Sequence, residues 1–163
     1  MSKFANICDR NMRNIEIKPA STADLQTLYK IERECFSSEA FSMEQLSFLI
    51  KNPNSISLMA KIDKEIAGFI IGLTYDTKSG KIGHILTLDV TKKYRRKGVA
   101  IKLMKKIEGK FREKTVKECF LEVRIDNEAA KRLYRKLGYT EIACLKDYYG
   151  NGVHGIRLKK VLA

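Results

Sequence analysis

Nine residues, Lys92-Lys93-Tyr94-Arg95-Arg96-Lys97-Gly98-Val99-Ala100, carry five basic side chains and then break into small ones. The chemistry open to such a run is anion binding. A helix starting at Gly98 would present backbone N–H groups that lack intrahelical acceptors, at the positive end of its dipole. The glycine would let a phosphate approach the backbone, and Ala100 keeps the wall low. A solvated charged loop is the plain alternative, and a nucleic-acid patch is a third. The last calls for neighbouring aromatics, and only Tyr94 stands in the run. The P-loop pattern GxxxxGK[ST] is absent, and GxGxxG would need two further glycines.

Other reactive side chains are sparse. Of four cysteines, Cys8, Cys35, Cys119 and Cys144, no two stand at CxxC spacing, which argues against a zinc cluster or a thioredoxin-type pair. The last three lie among apolar residues and read as buried, reduced thiols. Cys119 has no clear histidine base, which makes it a weak nucleophile candidate. His84 and Glu122 could share a ligand, but two donors are too few for a metal site.

These groups need a scaffold, and 163 residues suit one domain. A hydrophobic content of 44% with 31% charged residues allows a packed core and argues against disorder. A net charge of +13 points to anionic partners without choosing among them. No apolar stretch of signal-peptide length opens the chain, and the longest apolar run, Ile66–Leu73, is too short to span a bilayer. A soluble cytoplasmic protein is the expectation, with no membrane partner.

Residues 1–13 lack any period and read as a flexible tail, leaving 14–163 as a single domain. Asn14–Lys18 alternates as a strand that Pro19 ends. Capping boxes at Ser21–Asp24 and Ser42–Gln45 open two helices. Ile56–Ile62 and Glu65–Leu73 read as strands joined by a tight Asp63-Lys64 hairpin, and His84–Val90 follows as another strand. Val99, Leu103, Met104, Ile107 and Phe111 form an apolar helical stripe. Glu118–Ile125 is a strand, Asn127–Leu137 a helix stopped by Gly138, and Tyr139–Leu145 and His154–Val161 the last strands. The order β-α-α-β-β-β-α-β-α-β-β predicts an α/β fold in which His84–Val90 and Glu118–Ile125 pair in parallel.

Arg95-Arg-Lys-Gly98-Val-Ala100 fits the pattern [Q/R]xxGx[G/A] of the GNAT acetyltransferases. Asn127-Glu-Ala-Ala130-Lys-Arg-Leu133-Tyr134-Arg-Lys-Leu137-Gly138-Tyr139 is similar to that superfamily's NxxAxxLYxxLGF/Y motif. Two motifs in the right order, over about Ile15 to Leu158, make the resemblance specific. Leu121-Glu-Val-Arg124 and the Tyr148-Tyr149 pair further resemble protein N-terminal acetyltransferases of the ribosomal-protein alanine and archaeal types. The resemblance implies the GNAT fold, a mixed, mostly antiparallel seven-stranded sheet flanked by about four helices, and acetyl-CoA as cofactor.

It also implies roles. Leu88, Asp89 and Val90 would pair with the pantetheine arm. Arg95, Arg96, Lys97, Gly98, Val99, Ala100 and Ile101 would cradle the pyrophosphate. Asn127 would hydrogen-bond the pantetheine; as a plain reading, it caps its own helix. Tyr134 would stand beside the thioester sulfur and return a proton to the departing thiolate; otherwise it is a core tyrosine. Glu122 would be the general base, with burial raising its pKa; as a plain reading, it is an edge-strand or salt-bridged glutamate. Phe36, Glu39, Phe41, Tyr148 and Tyr149 would line the acceptor groove, Glu39 facing the ammonium. Many relatives carry an acidic pair where this chain has Val153-His154, which leaves the preferred first residue of the substrate open. The implied activity is acetyl transfer to a protein N-terminus, ribosomal proteins included. Lysine or polyamine acetylation and a non-enzymatic CoA- or nucleic-acid-binding module are the alternatives.

Overall fold

The computed structural model describes residues 14–162; the tail expected at 1–13 lies outside the described residues. Seven strands form one mixed sheet in the order β1-β2-β3-β4-β5-β7-β6. They are β1 (Glu16–Pro19), β2 (Ser55–Ile62), β3 (Glu65–Thr77), β4 (Gly80–Val90), β5 (Val116–Arg124), β6 (Thr140–Leu145) and β7 (Gly155–Val161). The helices are α1 (Leu25–Cys35), α2 (Met43–Lys51), α3 (Val99–Glu113) and α4 (Glu128–Lys136). The seven strands and four helices agree with the fold that the resemblance implies, and β4 and β5 pair in parallel as expected.

Local chemistry explains the element ends. Ser42 Oγ accepts the Gln45 N–H at 3.1 Å while the Gln45 side chain accepts the Ser42 N–H at 2.8 Å, which starts α2. At Ser21 the reciprocal cap with Asp24 starts a 3-10 turn, Thr22–Asp24, and only then α1. Asp63 and Lys64 both hold positive φ, 49° and 72°, the backbone of a two-residue hairpin. β3 and β4 run further than their apolar patterns, to Thr77 and from Gly80. Their polar outer ends still pair as strands, because ladder hydrogen bonds do not require apolar side chains.

The chain forms two compact units. One takes the described residues up to Ile71 with Thr87–Ile107; the other takes Gly72–Leu86 with the described residues from Glu108 on. In the first, Leu28, Leu46, Phe69, Leu103 and Ile107 are buried. In the second, Phe111, Cys119, Leu121, Tyr139 and Leu158 are buried. Among the described residues, no helix is long and apolar enough to cross a membrane.

Candidate active site

Glu122 stands on β5, opposite Arg157 of β7. On the other side β4 runs parallel, with His84 opposite Phe120. Alternation turns Leu121 and Val123 into the core and leaves Glu122 on the other face. There its Oε2 lies 2.6 Å from His84 Nε2, and its Oε1 accepts from Arg157 at 3.1 Å. The Tyr148 hydroxyl lies 3.4 Å from the same Oε1.

The Glu122 side chain is only 7% exposed. Desolvation pushes its pKa up, but hydrogen bonds and charge from His84 and Arg157 outweigh that and hold it below the usual carboxylate value. This corrects the expected upward shift. Burial was legible in the sequence; the two donors were not, because they come from strands 38 and 35 residues away. Burial and the nearby Glu122 charge push the Tyr148 phenol up. Arg157 was absent from the expected site. Its only sequence signal is the β5/β7 register, which no local pattern carries.

The neighbouring elements of this unit hold the other expected residues. Asn127 Oδ1 accepts the Ala130 N–H at 3.1 Å, so it caps α4. Tyr134, buried on α4, meets Tyr139 edge-to-face at 5.9 Å. Tyr148 and Tyr149 form a second edge-to-face pair at 4.9 Å. A Cβ at Gly155 would stand 3.0 Å from the Tyr149 ring, so the glycine lets that pair pack closely on β7. Cys119 is buried as expected, and its thiol is pushed up to about 12 by desolvation. Cys144 is not buried: β6 is exposed along most of its length, and its thiol faces out with it.

In the other unit, Leu88, Asp89 and Val90 end β4, with Asp89 buried between two half-buried neighbours. A Cβ at Gly68 would stand 2.3 Å from the Asp89 carbonyl oxygen, so β3 approaches this strand end where it has no side chain. The basic loop then turns twice through positive φ, 60° at Arg96 and 82° at Gly98. The Lys102 N–H reaches the Gly98 carbonyl at 3.1 Å, and the amides of Val99, Ala100 and Ile101 precede that first helical bond. Arg96 and Lys97 are exposed there. Arg95 folds back instead: its Nε donates to the Val90 carbonyl at 3.1 Å, and Cys35 Sγ donates to the same oxygen at 3.4 Å. Lys93 and Lys97 lie over the Tyr94 ring, whose hydroxyl bonds Glu65. Phe36, Glu39 and Phe41 lie half-buried between α1 and α2. The Phe41 N–H donates to Glu32 at 3.1 Å. The expected acceptor residues thus divide, three in this unit and Tyr148 and Tyr149 in the other.

Residues 25–139 match the acetyltransferase (GNAT) family. The chain belongs to the GNAT acetyltransferases. It is 36% identical over 123 residues to N-alpha-acetyltransferase 30 of Xenopus laevis, covering 75% of this chain and 45% of that protein. The chain therefore spans less than half of that relative. It is 32% identical over 145 residues to an uncharacterized N-acetyltransferase of Methanocaldococcus jannaschii, covering 88% of this chain and 90% of that one. Among solved structures, Ard1 from Thermoplasma volcanium superposes with a TM-score of 0.84 at 25% identity, over 92% of this chain and 99% of that one. GNAT enzymes draw the acetyl group from acetyl-CoA. The donor set of the Arg96–Ile101 loop suits a pyrophosphate: consecutive helix-start amides, two exposed cations and a glycine at positive φ.

Proposed function

We propose that this GNAT enzyme acetylates the α-amine of protein N-termini. The carrying observation is Glu122, a nearly buried carboxylate held charged by His84 and Arg157. Relatives named N-alpha-acetyltransferase support the acceptor class. An α-amine of pKa about 8 is roughly one-tenth neutral at neutral pH, whereas a lysine amine near 10.4 is mostly charged. A carboxylate with a depressed pKa is a mild base, matched to the former and poorly matched to the latter.

Bound acetyl-CoA supplies an activated thioester. Arg96, Lys97 and the amides of Gly98–Ile101 hold its pyrophosphate, and the backbone of Leu88–Val90 aligns the pantetheine. Asn127 spends its oxygen on the helix cap, so its amide nitrogen is the group that serves the pantetheine. Glu122 takes the amine proton with His84 beside it. An imidazole that donates Nε2–H to Glu122 keeps its lone pair on Nδ1, so the pair can accept the proton at either residue. Tyr134 returns a proton to the leaving sulfur. Phe36, Glu39, Phe41, Tyr148 and Tyr149 contact the acceptor peptide, which this reading places in the cytoplasm.

The test is an acceptor panel: peptides varied at residue one, with free or blocked N-termini, scored by thiol release. Free N-termini are expected to react, and blocking them to abolish turnover. Faster reaction of blocked lysine peptides or polyamines would reassign the acceptor. Steeply salt-dependent nucleic-acid binding with no thiol release would make the chain a binding module.

A further inference from the structure

Glu32 of α1 and Asp89 of β4 are buried carboxyls, each about 1% exposed. Between them stands the buried hydroxyl of Thr87, 2.9 Å from Glu32 Oε2 and 2.7 Å from Asp89 Oδ1. A hydroxyl has one hydrogen. Thr87 can donate to only one carboxyl, so the other contact needs a donor, and a carboxylate has none.

The remaining atoms assign the proton. Glu32 Oε1 already accepts the Phe41 N–H at 3.1 Å, so Glu32 is the acceptor at both its oxygens. Asp89 Oδ2 is buried without a hydrogen-bond partner, a position tolerable for a neutral acid's carbonyl and costly for a carboxylate. The chain therefore runs Asp89 O–H to Thr87, Thr87 O–H to Glu32, with Phe41 N–H donating to Glu32 from the far side. Cys35 faces Asp89 from α1, its thiol pushed up to about 11 by burial, and Arg95 faces Asp89 from the basic loop. β3 approaches its backbone at Gly68. Desolvation, then hydrogen bonding and charge from the adjoining Glu32 carboxyl, push Asp89 well above the usual aspartate value.

We propose that the Glu32 and Asp89 carboxyls share a single acid proton across the Thr87 hydroxyl, and that this relay is a positioning device tying the acceptor segment at Phe41 to the cofactor strand at Asp89. The second half rests on the acetyltransferase reading given above, which assigns those two segments their roles. Loss of the Asp89 proton leaves Thr87 facing two carboxylates. One contact fails, Glu32 is repelled, and the Phe41 anchor loosens.

The experiment is NMR on the full chain, following the Asp89 carboxyl carbon and the Phe41 amide against pH. The expected result is a protonated Asp89 at neutral pH and a Phe41 amide that moves on the same titration curve. Asp89→Asn keeps a donor toward Thr87 and is expected to flatten the Phe41 curve. In acetylation assays, Glu32→Gln trades a charged acceptor for a neutral one and should raise acceptor KM about tenfold, with kcat changed less than twofold. An ionised Asp89 at neutral pH overturns the shared proton, and a Phe41 amide indifferent to it overturns the coupling. Coincident curves in a protein that acetylates no acceptor support the relay and overturn the proposed function instead.

Discussion

Glu122 and Asp89 are both carboxyls on sheet strands, both nearly shut off from water, and their proton affinities move in opposite directions. Glu122 meets an imidazole at 2.6 Å, a guanidinium at 3.1 Å and a phenol at 3.4 Å. Asp89 meets one hydroxyl at 2.7 Å and has a second carboxyl, Glu32, beside it. Burial penalises the charged form in each; the surrounding donors decide the outcome. The two also set opposite flanks of stability. For Glu122 the contribution is present above the ordinary glutamate value and is lost as pH falls through its lowered value. For Asp89 the contribution is full below the ordinary aspartate value and is lost as pH rises through its raised value.

The most severe way to break the contrast is Glu122→Gln, which removes the proposed proton acceptor while preserving shape. It is expected to cut kcat/KM about a hundredfold to a thousandfold, with the fold retained by circular dichroism. A loss under about tenfold would mean that the charged carboxylate is structural and that His84 needs no such partner. Gly68→Ala attacks the other region. Its methyl would stand 2.3 Å from the Asp89 carbonyl oxygen and 3.2 Å from the Val90 Cα, both backbone atoms that cannot rotate away. A loss of about 2–3 kcal/mol in urea unfolding is expected. Arg157→Met is milder. Arg157 is 38% exposed, so its charge is partly screened, and the loss at neutral pH is about 1 kcal/mol. Without that cation Glu122 protonates more readily, so the acid limb of kcat/KM should move to higher pH.

Much of this was legible in the sequence because it is local. Capping boxes, the Asp63-Lys64 hairpin and the stripe Leu103, Met104, Ile107 and Phe111 are short-range patterns, and all formed. The element order and the two motifs carried the fold and family. What escaped was set by pairing. Arg157 meets Glu122 only through the β5/β7 register, and Glu32 meets Thr87 only when α1 packs on β4. Cys144 misled for the same reason: an apolar neighbourhood along the chain says nothing about whether a strand lies at an exposed sheet edge. Arg95 reads as a phosphate ligand from its motif, yet its guanidinium lies against the Val90 carbonyl.

Tyr148→Phe is the finest test, because it removes the weakest donor alone. The Tyr148 hydroxyl lies 3.4 Å from Glu122 Oε1, long for an O–H···O bond, and the residue is 48% exposed. The phenylalanine keeps the edge-to-face pairing with Tyr149 and the contact with Gly155. Stability should fall by about 0.5 kcal/mol or less in urea titration, and the acid limb should move less than in Arg157→Met. If charge and distance govern the Glu122 proton, the effects must rank His84, then Arg157, then Tyr148, following 2.6, 3.1 and 3.4 Å. A Tyr148→Phe shift as large as that of Arg157→Met would make the phenol, and not the guanidinium, the group that holds Glu122 charged.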